Sequence, residues 1–147
     1  MTSAGVPTHG PGGGSRLGLT YPLSDGGRDA VHTRSGRTVA DVTLDGVVAG
    51  EIGADDLRVG PETLLLQAEF AAQGGNEQLA DNLRRGAELV AFGDDELLQF
   101  YDALRPGRST ASELDELAAR LEAQDATRCA ALVREARAAY VRRGLIT

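Results

Sequence analysis

The chain has 147 residues, one cysteine, no tryptophan and no lysine, and its 22 acidic residues outnumber 15 arginines to leave a net charge of −7. That length fits one domain. The acidic excess, spread over both halves, argues against a nucleic-acid footprint, and the missing lysines remove Schiff-base chemistry and a P-loop lysine. A lone cysteine cannot form an internal disulfide, which fits a reducing cytoplasm, and no stretch approaches the roughly 20 apolar residues of a membrane span.

Residues 1–18, "MTSAGVPTHGPGGGSRLG", offer almost nothing to bury and predict a disordered Gly/Pro-rich tail. The layout is not that of a signal peptide. The run "GPGGGS" lacks the Lys-Ser/Thr ending of a phosphate loop. Residues 19–60 read as an irregular, extended arm. Short alternating pieces flank a turn at Ser35-Gly36, Thr43 or Asp45 caps a short helix through Val47 and Val48, and "GADDLRVG" adds a single helical turn. Such a segment has too few apolar residues for its length and is expected to lean on another surface.

Residues 61–147 predict a compact, mainly α domain of about five helices. Pro61 suits a first helical position and Gly74-Gly75 a stop. Asn76 caps the next helix, whose stripe is Leu79, Leu83, Ala87 and Val90 before Gly93 ends it. Asp94, Asp95 and Glu96 complement the positive start of a third helix, with Leu97, Phe100, Tyr101 and Leu104 as its apolar face. Thr110 and Glu113 have capping-box spacing ahead of Leu114, Leu117, Ala118 and Leu121. The last helix, from about Ala126 to Arg143, carries Cys129, Val133, Ala136 and Tyr140 on one face, with Gly144 as its stop.

Chemistry is hard to place on this frame. His9 and His32 lack ligands at helical spacing, so no metal site is expected. Cys129 falls on a buried stripe with no base foreseeable beside it. The acid clusters Asp55-Asp56 and Asp94-Asp95-Glu96 sit at helix starts, where capping explains them. No catalytic or cofactor-binding residue is expected. Within "YDALRPGRST", proline, glycine and threonine have structural reasons, but Arg105 and Arg108 do not. They are either a solvated charge pair or forks onto carboxylates or carbonyls, in this chain or on a partner.

"ETLLLQAE", "LADNLRRGAEL", "YDALRPGRST" and "REARAAYVRRGL", preceded in order by "YPLS", "TRSGR" and "DVTLDGVVAGEIGADDLR", resemble the small (gamma) subunit of adenosylcobalamin-dependent diol and glycerol dehydratases. The resemblance runs from about Leu19 to Ile146. It implies a dimer of heterotrimers in which the large subunit is a TIM barrel holding the diol and adenosylcobalamin lies between large and medium subunits. Homolysis of the cobalt–carbon bond then starts a radical reaction that yields an aldehyde and water. The small subunit is implied to be mainly helical, to pack on the large subunit and to supply no catalytic residue. Candidate partner-facing residues are Tyr21, Pro22, Arg105, Arg108 and Ser109. Relatives working in bacterial microcompartments carry an amphipathic N-terminal helix that this tail does not resemble, so a free cytoplasmic enzyme is expected. The competing reading is a free-standing helical adaptor for an unrelated protein, which leaves the ordered motif set unexplained.

Overall fold

In the computed structural model, which describes residues 18–19 and 27–146, the helices other than the last begin at residues whose chemistry suits a start. In the arm, Thr33 to Gly36 make a turn, with Gly36 at φ 87°, and His32 faces Thr38 in an isolated antiparallel bridge. Thr43 caps α1 (Leu44–Val48) by accepting from Gly46 N–H at 3.2 Å. A 3-10 turn follows at Ala54–Leu57. The Asp56 carboxylate gathers this region: it accepts from Gly53 N–H at 2.8 Å and from Ser35 Oγ, with Arg37 Nε 3.7 Å away. Ile52 is the arm's buried apolar residue, and Gly46 leaves it room, since a Cβ there would stand 2.9 Å from Ile52 Cγ1.

The helical part follows as α2 (Pro61–Gln73), α3 (Glu77–Leu89), α4 (Asp94–Ala103), α5 (Ala111–Glu122) and α6 (Thr127–Arg142). Proline opens α2 and Asn76 Oδ1 accepts from Leu79 N–H at 3.1 Å to open α3. Thr110 and Glu113 form the reciprocal box expected of their spacing, at 3.3 Å and 2.8 Å. Between α2 and α3, Gly75 takes φ 78° while Asn76 N–H returns to Ala71 C=O. Asp125 plays the same part after α5, at φ 61°, with Ala126 N–H returned to Leu121 C=O at 2.9 Å.

Two antiparallel hairpins result, α2 with α3 and α5 with α6, joined where α3 meets α6. The main core is built by α4, α5 and α6 around Phe100, Leu114, Leu121 and Val133. Full burial of an aliphatic side chain such as Leu114 or Leu121 stabilises by about 1.5–3 kcal/mol. Phe92 meets Phe100 edge to face at 5.2 Å, and the Arg120 guanidinium lies 5.3 Å from the Phe100 ring centre.

Two stripes differ from the sequence expectation. On α3 Ala87 is buried as expected, but Ala80 joins it and Leu79 is exposed. α3 is sandwiched between α2 and α6, and alanines permit the approach that brings Cys129 Sγ to 3.6 Å from Arg85 C=O. On α4, Leu97, Phe100 and Leu104 face the core but Tyr101 does not, remaining 71 % exposed.

The joint between hairpins is polar. α6 starts at Ala126, which has no side chain able to accept its first N–H groups. Glu88 of α3 does so instead, its two oxygens accepting from Arg128 N–H at 3.1 Å and Cys129 N–H at 2.9 Å. A second tie runs from Tyr140 O–H to Leu104 C=O, 2.6 Å, fixing the end of α4 to α6. Arg134 also grips Glu122 with two parallel bonds of 2.7 and 2.6 Å across the second hairpin.

Glu88→Ala is expected to lower stability by roughly 1–2 kcal/mol, and Glu88→Gln, which keeps an acceptor, by less, as read from urea unfolding. Acid should act in the same direction. Glu96, Glu113 and Glu122 are held below the ordinary 4.5 chiefly by Gly93 N–H, Thr110 N–H and the Arg134 guanidinium respectively. A carboxylate with a depressed folded value adds stability above its unfolded value and loses it as pH falls. The melting temperature should therefore hold from neutrality to about pH 4.5 and drop below it.

Candidate functional site

Tyr21 and Pro22 lie outside the described residues. Arg105, Arg108 and Ser109 lie together in the connection from α4 to α5. There Pro106 and Gly107, the latter at φ 75°, make a turn closed by Arg108 N–H to Arg105 C=O at 3.1 Å. Both guanidiniums converge on one carboxylate oxygen of Asp102, Arg105 Nη1 at 3.3 Å and Arg108 Nε at 3.8 Å. The within-chain option is thus realised, but all three side chains are more than half exposed and such pairs stabilise little. A planar guanidinium has five N–H donors, so most donors of both arginines remain for other acceptors.

Ser109 is half-buried and lines a concavity of about 290 Å³ with Gly107, Arg108 and Thr110 on one side and Gly144, Leu145 and Ile146 on the other. The second wall was not evident from the sequence. Its signal was Tyr140, an aromatic on a buried stripe whose polar tip needed an acceptor and found it at Leu104.

A second depression, of about 120 Å³ and almost wholly apolar, lies between α4 and α6 over Phe100, Leu104 and Val133. Tyr101 and Leu132, which line it, are exposed, and so are Leu98 on α4 and Leu44, Val48 and Leu57 on the arm.

Neither depression holds a reacting constellation. Among the described residues no group of three or more His, Cys, Asp or Glu is placed to hold a metal ion. Asp56 and Glu96 are held below the usual carboxylate range, by the Ser35 hydroxyl with Gly53 N–H and by Gly93 N–H with Arg120. A general acid needs the opposite shift. Burial, reinforced by the Glu88 carboxylate, pushes the Cys129 thiol up to about 12. A thiol so raised is a poor nucleophile.

Cys129 should therefore resist alkylation at pH 8 in the folded protein and react at the ordinary rate once urea unfolds it, as mass spectrometry of the adduct would read. Because the thiol is neutral when protonated, its raised value also implies stability lost as pH climbs from about 9 towards 12.

Residues 18–147 match the family described as dehydratase small subunit. The chain is 48 % identical over 124 residues to the propanediol dehydratase small subunit of Citrobacter freundii. It is 46 % identical over the same length to that of Salmonella typhimurium. Each comparison covers 84 % of this chain and 72 % of the relative. The family match over residues 18–147 and the 46–48 % identity to these two relatives show that the chain belongs to the dehydratase small-subunit family.

Proposed function

We propose that the chain is the non-catalytic small subunit of a cytoplasmic, adenosylcobalamin-dependent dehydratase that converts a vicinal diol, 1,2-propanediol or glycerol, to an aldehyde and water. Its role is to support assembly with a large and a medium subunit, in a dimer of heterotrimers. The observation that carries this is the identity of 46–48 % over 84 % of the chain to two propanediol dehydratase small subunits.

The chemistry of the chain supports the non-catalytic part. The two concavities described above, about 290 and 120 Å³, are lined by no histidine. On this reading the cofactor, which would supply the radical chemistry, sits on the partner subunits. What this chain contributes is surface. Residues 19–60 act as an arm that docks on a partner, with Leu44, Val48 and Leu57 exposed on it. In the connection from α4 to α5, Arg105, Arg108 and Ser109 present donors beyond those used by Asp102. Among the described residues no helix is long and apolar enough to cross a membrane.

Tagged chain co-expressed with its partners should recover a large and a medium subunit together with coenzyme-dependent aldehyde formation from 1,2-propanediol. Arg105→Ala with Arg108→Ala should reduce recovery several-fold and leave turnover per recovered complex unchanged. Recovery of the tagged protein alone, or of unrelated proteins without dehydratase activity, refutes the assignment.

A further inference from the structure

The chain is acidic, yet one end of its helical domain is basic. Arg105 and Arg108 lie in the connection before α5, and Arg142 and Arg143 close α6. The Tyr140–Leu104 bond holds the two segments side by side, and the concavity of about 290 Å³ lies between Arg108 and residues 144–146. Asp102 answers the first two arginines, whereas Arg142 and Arg143 are exposed and make no ion pair among the described residues.

Local structure accounts for little of this charge. The dipole of α6 favours cations in its last turn, by a few tenths of a kcal/mol when exposed. The dipole of α5 acts against Arg105 and Arg108, which precede its N-terminus. The carboxylate nearest that terminus, Glu113, is occupied with the N–H and hydroxyl of Thr110. Glu135 is two helical turns back from Arg142 on the same face of α6, too far to neutralise it at physiological salt. Around these cations lie Val141 and Leu145, both exposed, and Ile146 on the wall of the concavity.

We infer that this end is a docking surface for a projecting, carboxylate-bearing segment of a partner subunit, with the Arg108–Ile146 concavity taking its tip and the four guanidiniums its acids. The inference rests on the reading above that the chain assembles with larger dehydratase subunits. Charge complementarity selects the occupant. Planar guanidinium forks pair with carboxylates in two-bond geometry, and a concave, half-apolar floor takes a protruding segment better than a flat face. The same arrangement speeds encounter and disfavours acidic surfaces of the chain itself as the contact.

The test uses the co-expressed complex and two charge-reversed small subunits. One carries Arg142→Glu and Arg143→Glu. The control carries Arg84→Glu and Arg128→Glu, whose guanidiniums meet Asp81 near the opposite end of α6, roughly 20 Å away. Melting curves first establish that both variants fold. Recovery of partner subunits should fall at least tenfold for the first and less than twofold for the control, and wild-type recovery should fall as salt rises. Equal recovery by the first variant, or equal loss by both, overturns the inference. So does loss of retention on immobilised nucleic acid with subunit recovery intact, which would assign the patch to phosphates. Failure of the wild-type chain to recover any dehydratase subunit instead removes the assignment as a subunit, a separate outcome.

Discussion

A single carboxylate decides how this small helical protein is put together. α6 is the longest helix and packs against both α3 and α5, yet it begins at an alanine that cannot cap it. The first N–H groups of a helix must find acceptors, and leaving them unmet in a half-buried site costs about as much as one buried core methylene or two. Glu88 meets two of them from a different hairpin. Burial alone specifies that α6 lies against α3; the carboxylate specifies at what height. That distinction matters for an aliphatic core rich in alanine, where apolar packing tolerates sliding more readily than a bidentate contact does.

From that anchored start, the rest of α6 transmits position along its length. Cys129, Ala130 and Val133 pack in the core, Arg134 and Arg137 reach Glu122 and Asp115 on α5, and Tyr140 ends the series on the Leu104 carbonyl. The connection after α4 is consequently fixed at both ends, by Tyr140 before the Pro106-Gly107 turn and by the Thr110–Glu113 box after it. Exposed arginines on a loose loop would lose side-chain and backbone freedom together on binding a partner. On a fixed loop only the side-chain part remains, which is why a small surface held in this way contributes more to association.

The sequence announced the helices because their ends are chemically local: Pro61, Asn76 and the Thr110–Glu113 pair need only neighbours within one turn. It also announced Cys129, Leu114 and Leu121 as interior, since their stripes are regular. It did not announce Glu88 as the cap of α6, a pairing across 40 residues with no periodicity to read. It placed the α3 face only in part. Ala87 is buried as its stripe predicts, but two close neighbours select small side chains, so Ala80 turns inward where Leu79 was expected. Tyr101 reads as core by spacing, yet α4 offers only a narrow face to the others and leaves it at a rim. The loop was singled out for its arginines, but its facing wall at 144–146 depends on the return of α6, which local sequence does not encode.

The family assignment gives these surfaces their meaning. A small subunit must join its partners in one orientation, and apolar area by itself discriminates orientations poorly. Charge does so better, because a misplaced like charge at an interface is costly while an exposed one is nearly free. In a chain with 22 acids and 15 arginines, most orientations present carboxylates to a partner. The end bearing Arg105, Arg108, Arg142 and Arg143 is set apart from that background, and the exposed apolar residues of the arm supply area rather than direction. The proposed docking divides the labour: in it the arm adds burial and the basic end sets register, while the Glu88 contact keeps the helix that carries half of that end at a defined height.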